Sequence, residues 1–225
     1  MRRVSDSRQD QQDALARKLR SEVEIAGHRL PLLPNLPYFA PLSRIRFRSE
    51  NEVIRRAAAV TCISHRAQLA FLGDLDEFMK QEDVFVCLTP EEKRYYFSPV
   101  DREAPVNAVH TWRIESCHAL YWALGHLVRL SYPDAATDPK TLYHLFFAPG
   151  LRGFRAASRL RTANEVLDAA DLYFRLFALA QHRMRPDGTL PGQLSYPIVR
   201  ERYVALCWLV GKGEWDELQK NTPLW

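Results

Sequence analysis

The sequence predicts an all-α fold, a single compact multi-helix domain around two central apolar helices with no substantial sheet, and three observations predict it. Apolar residues recur at helical spacing along most of the chain, and no alternating apolar run is long enough to argue for a sheet. A Ser or Thr is followed three residues later by Glu at three places: Ser49 with Glu52, Thr89 with Glu92, and Thr162 with Glu165. In such a box each side chain satisfies a backbone N–H that the first helical turn leaves without a partner.

Taken in order, residues 9–26 place Leu15, Leu19 and Val23 at steps of four, which predicts an amphipathic helix whose stripe docks on the rest or remains a partly free arm. Pro31, Pro34, Pro37 and Pro41 then remove backbone donors and disfavour helix, so residues 28–43 are expected to run extended along the core. The expected organisation is a lead-in over residues 1–43 and a helical domain over 44–225. Helices are expected at 50–72, 74–81, 90–97, 104–130, 139–147, 163–185 and 197–211. The start at 139 is marked by Asp138 before Pro139, because proline costs nothing at a first helical position. A short turn of helix and an extended end should follow Glu214. Segments 104–130 and 163–185 are apolar on nearly every face over their middles, the pattern of a central pair.

A chain of 225 residues with 47% hydrophobic residues can bury a sizeable core. Cys62, Cys87, Cys117 and Cys207 form no C-x-x-C pair and sit among apolar neighbours, which reads as reduced core thiols in a reducing compartment. The opening MRRVSDSRQD lacks the apolar segment of a secretory or twin-arginine signal, so a cytoplasmic protein is expected. The most apolar stretch, Cys117 to Leu130, is interrupted by His118, His126 and Arg129 and is too short to span a bilayer. Residues 1–60 hold 12 Lys/Arg against 7 Asp/Glu, so an anionic partner would be drawn there first. Charges of both signs are interspersed elsewhere, which makes nucleic acid an unfavoured partner.

Several constellations carry possible chemistry. Trp112, Glu115, Ala119, Trp122 and His126 follow steps of three and four, putting a carboxylate between two tryptophans. A carboxylate in such a place needs a cation or donors, or it takes up a proton as catalytic acids do. A structural ion pair with an arginine from another helix is the preferred reading. Asp168, Asp171 and Arg175 share one face of the second central helix. They form its solvated stripe, or Asp171 and Arg175 meet Glu115 and Arg202 in a buried polar cluster; were the chain an enzyme, Glu115, Asp171, Arg175 and Arg202 would carry acid–base or anion chemistry. Trp112 and Trp122 are candidate binding residues. So are Arg152, Arg155, Arg159 and Arg161, the densest basic run, whose ordinary reading is a solvated loop leading into the helix at Thr162.

Metal and cofactor motifs are not expected. Glu115-x-x-His118 has no second copy, as a di-iron bundle requires. His110, His118 and His126 are each rotated by about 80° around a helix and do not converge on one ion. No phosphate loop, dinucleotide fingerprint or nucleophile elbow is present.

The segments FRSENEVIRRAAAV, WRIESCHALYWALG, LRTANEVLDAADLYFRLFALA, VRERYVALCWLV and WDELQKNT occur in an order that resembles the bacterial domain-of-unknown-function family DUF4272. The matching positions are Arg48 and Ser49, Trp112 and Glu115, Trp122 to Gly125, Asp171 with Arg175, Glu201 and Arg202 with Trp208 and Leu209, and Trp215 with Asp216. The resemblance spans about residues 40 to 222 and brings no established activity. Families of this kind look similar to the small neutralising partners found beside secreted toxins. The expectation is therefore a non-catalytic interaction protein whose partner is another protein, of the toxin-neutralising (immunity) type, with an enzyme using the Glu/Asp/Arg cluster as the alternative.

Overall fold

The computed structural model describes residues 2–68, 73–99, 105–184 and 189–223. Among these residues the regular structure is helical and no strand occurs. The helices are α1 (Arg2–Gly27), α2 (Glu50–Gln68), α3 (Gly73–Gln81), α4 (Pro90–Phe97), α5 (Pro105–Thr111), α6 (Arg113–Ala123), α7 (Pro139–Phe147), α8 (Gly150–Ala157), α9 (Ala163–Arg183), α10 (Tyr196–Leu209) and α11 (Trp215–Lys220). They gather into two compact units. The first comprises Met1–Phe47, Tyr132–Ala135 and Arg161–Trp225, and the second Arg48–Ser131 and Ala136–Leu160.

All three capping boxes close. Glu52, Glu92 and Glu165 accept the backbone N–H of Ser49, Thr89 and Thr162 at 2.8, 2.9 and 3.0 Å. The reciprocal bonds, from the glutamate N–H to the hydroxyl, are 3.4, 3.2 and 3.3 Å. Asp138 caps α7 by accepting from Lys140 N and Thr141 N, both at 3.2 Å.

In the first unit α9 and α10 form the core, burying Leu167, Phe174 and Phe177 against Val199, Tyr203 and Leu206. Each such side chain removed from water contributes about 1.5–3 kcal/mol. The end of α10 is set by Gly211, at φ +69, where Lys212 N–H returns to Cys207 O and Gly211 N–H to Trp208 O, both at 3.0 Å. α11 then lays Trp215 edge-on against Trp208 with ring centroids 5.8 Å apart.

α1 packs on α9, but with a different face from the one its aliphatic stripe suggests. Leu15, Leu19 and Val23 are 49%, 54% and 74% exposed, while Ala14, Arg17, Ser21 and Ile25 are buried. The reason lies on α9: Asp168 takes Arg17 Nε at 3.2 Å and Arg20 at 2.7 Å, and Arg175 reaches Glu22 at 3.4 Å. Charge pairing, two small residues and Ile25 orient the helix, and its leucines are left facing outward.

In the second unit α2 is buried along most of its length and packs on α5, α6 and α7. Its Thr61 hydroxyl donates to Ala57 O at 2.7 Å and so accepts from the Tyr121 hydroxyl at 2.8 Å. The single helix expected over 104–130 is two helices, with residue 104 outside the described residues. The register tightens at Trp112, whose carbonyl accepts Glu115 N–H in a three-residue step at 3.0 Å. α6 stops well short of residue 130, because Gly125 takes φ +81 and its amide and that of His126 turn back to Trp122 O and Tyr121 O at 3.0 and 2.9 Å. Residues 150–157, expected as part of a loop, form α8, which starts without a side-chain cap and buries Phe154.

Candidate functional site

The polar residues picked out from the sequence divide between the two units. In the first, Asp171 and Arg175 are one turn apart on α9, a spacing that lets the guanidinium grip the carboxylate at two points, Nε to Oδ2 at 2.8 Å and Nη2 to Oδ1 at 3.1 Å. Asp171 is 0% and Arg175 3% exposed. The pair also holds main-chain atoms of the proline-rich lead-in: Phe39 N–H donates to Asp171 Oδ1 at 3.0 Å, and Arg175 Nη2 donates to Pro37 O at 2.9 Å. Lys18, from α1, donates to Leu36 O at 2.7 Å. The ring of Phe39 is fully buried, its centroid 6.2 Å from that of Phe174 and 5.8 Å from Lys212 Nζ. Burial lowers the pKa of Lys212, because the ammonium loses hydration there.

Arg202 lies in the same unit, fully buried on α10, and donates to the Tyr173 hydroxyl at 3.0 Å. Its neighbour Glu201, 2% exposed, accepts from Arg200 at 2.6 Å. Asp168, the remaining acid of the face, belongs to the α1 contact and is half-exposed.

Glu115 sits in the second unit, 0% exposed. Both of its oxygens accept from Thr137 in the turn before α7, whose N–H is 2.7 Å from Oε1 and whose hydroxyl is 2.9 Å from Oε2. His118 Nδ1 lies 2.9 Å from the same hydroxyl, so with that proton given to Glu115 the imidazole nitrogen is the donor. Of the two flanking tryptophans, Trp122 is buried and Trp112 half-buried at the break between α5 and α6. The sequence places the acid between them on one stripe and leaves open whether it is buried. It missed Thr137, whose only signal is its place just before the Asp138 cap.

The basic run divides as well. Arg152 and Arg155 project from α8, where Arg155 donates to Asn51 Oδ1. Arg159 turns back to cap α8, donating to Ala156 O and Ser158 O at 3.1 and 2.6 Å. Arg161 falls in the first unit and pairs with Glu165 at 2.9 Å. His126 hydrogen-bonds Ser158 Oγ at 2.9 Å and stacks on Phe154 at 4.0 Å, and burial lowers its pKa. His110 packs on Tyr95 with centroids 3.7 Å apart. Among the described residues no three His, Cys, Asp or Glu side chains gather as metal ligands, and no helix is long and apolar enough to cross a membrane.

The sequence model of a domain of unknown function, DUF4272, matches residues 17–218, a span that holds Asp171, Arg175, Glu201, Arg202 and Glu115. The chain belongs to this family. The match takes in α1 from Arg17 and runs through to Leu218 of α11, so it covers all of the second unit of this DUF4272 chain and most of the first. No curated protein and no solved structure matches the chain.

Proposed function

We propose that this DUF4272 chain is a non-catalytic interaction protein of the bacterial cytoplasm whose partner is another protein. One observation carries the reading: α1 buries Arg17 and shows Leu15, Leu19 and Val23 to solvent, the reverse of what a helix serving only its own core does. The residues an enzyme would need support it from the other side. Asp171, Arg175, Arg202 and Glu115 are all buried and hydrogen-bond a lead-in backbone, a tyrosine hydroxyl and a turn threonine. Those are the duties of scaffold residues. Within this class, neutralising a secreted toxin by binding it is the form we favour, on family analogy.

The test compares parent protein with the Leu15→Asp/Leu19→Asp double variant. The exchanged side chains are about half exposed, so the helix content should stay the same. A partner captured by the parent, identified and re-measured with purified components by calorimetry, should bind the variant at least 10-fold more weakly. Equal affinity of the two proteins overturns the role assigned to α1.

A further inference from the structure

The buried pair on α9 makes an uncommon choice of partners. Its hydrogen bonds to the lead-in go to main-chain atoms, the Pro37 carbonyl and the Phe39 amide, and Lys18 likewise takes the Leu36 carbonyl. Recognition of that kind reads an extended backbone and ignores most side chains, as peptide-binding grooves do. The side chain most deeply held is Phe39, which lies two residues beyond the accepted Pro37 carbonyl and is fully buried. Between the buried ends Leu30 and Phe39 the segment is largely exposed, with Leu32 at 45% and Tyr38 at 40%. Beneath it Leu33 and Leu36 fail to fill the surface formed by Ile25, Leu179, Glu22 and Arg175, leaving a void large enough for about one water molecule. Pro31, Pro34, Pro37 and Pro41 fix φ at four positions of the segment, which turns at Pro34–Asn35 where Asn35 takes φ +68, so the released chain is already restricted and release recovers less backbone entropy than from an ordinary loop.

We propose that residues 30–41 are an internal ligand, and that the α9 surface under them is a peptide site for an extended, proline-spaced partner segment carrying an aromatic anchor two residues after an accepted carbonyl. This rests on the interaction reading above and names the chemistry of a partner. A competitor that fills the void better than Leu33 and Leu36 displaces the chain's own segment, Asp171 and Arg175 keep their hydrogen bonds by exchanging one backbone for another, and Phe39 gives up its place to the incoming ring.

The probe is a fluorescent peptide with the chain's own sequence from Pro31 to Leu42, titrated by anisotropy into full-length protein. Phe39→Ala releases the internal segment, so this variant should bind the peptide saturably and at least 10-fold more tightly than the parent, in which the tethered copy competes. A control peptide with its phenylalanine replaced by alanine should lose at least 10-fold. A folded Phe39→Ala protein with no saturable binding, or with equal binding of both peptides, overturns the proposal. Should that variant not fold, hydrogen exchange on the parent decides: the Phe39 amide should exchange at least 100-fold faster than the amides of Phe174 and Phe177, and exchange at their rate overturns it. Failure here together with loss of partner binding in the Leu15→Asp/Leu19→Asp variant removes the peptide site and leaves the interaction reading standing.

Discussion

At the scale of single residues, the buried charges make the sharpest demands. Removing one partner of a buried ion pair strands the other, which typically costs about 3 to 5 kcal/mol out of the roughly 5 to 15 that hold a domain folded. Arg175→Met and Asp171→Asn should each lower the melting temperature strongly, with unfolding followed by circular dichroism; a change within experimental error would show that the pair is not structural. Glu115→Gln keeps the shape but strips the charge from an acceptor of two hydrogen bonds at Thr137, and a hydrogen bond to a charged group contributes about 1.5–3 kcal/mol. It should therefore destabilise too. A melting temperature equal to or above the parent's would instead make Glu115 a catalytic acid strained for function. Titration adds a further expectation. Burial holds His65 and His126 below their ordinary value of 6.5, so the unfolded chain binds protons more readily than the folded one. Their contribution is complete above about pH 6.5 and is lost as pH falls from there through their lowered folded-state values. Glu52 and Glu165 are held below their ordinary 4.5 by hydrogen bonds from Ser49 and Thr162, and their contribution is lost in a second, more acidic step. Melting temperature against pH should show both declines, and His126→Gln should flatten the first.

At the scale of elements, helix ends decide more than helix middles. A Cβ on Gly211 would stand 2.2 Å from Arg46 O, at a φ of +69 that L side chains rarely adopt. On Gly125 it would meet Arg159 O at 3.0 Å. Gly27 ends α1 with nothing within 4 Å of the added atom. Gly211→Ala should therefore destabilise by more than Gly125→Ala, each by about 1 kcal/mol or more, while Gly27→Ala should stabilise by about 0.4–1 kcal/mol. Denaturant midpoints rank the three, and Gly211→Ala at or above the parent would refute the assignment of that turn. The helix starts at Glu50, Pro90, Pro139 and Ala163 were legible because each carries a local cap, complete within four residues. α8 was not legible: its basic run read as a solvated loop, and the packing of Phe154 that holds the helix comes from rings outside it, those of His126 and Phe146. The early stop of α6 was legible in Gly125, but the apolar run on either side of that glycine pointed the other way.

At the scale of the whole molecule, the chain holds its thiols by packing. Cys62, Cys117 and Cys207 are buried and Cys87 is half-buried, all four unbridged. Burial pushes Cys207 up to about 12 and Cys62 well above its ordinary value. A thiol reagent at neutral pH should react first with Cys87 and with the other three only on unfolding, giving four in denaturant under non-reducing conditions. Fewer than four would mean an oxidised pair. The sequence by itself determined the helical class, the capped helix starts and the family, because capping, periodicity and residue order act over a few positions or are written directly in the chain. Only the tertiary structure decided which partners the charges take and which side of α1 faces inward. Those outcomes depend on groups far apart in sequence: Asp168 turning α1 by its arginines, Thr137 meeting Glu115, and Asp171 with Arg175 holding the backbone of Pro37 and Phe39. Coulomb attraction and hydrogen bonding inside a core depend on distance in space, and a pattern of residue types along the chain does not contain that distance.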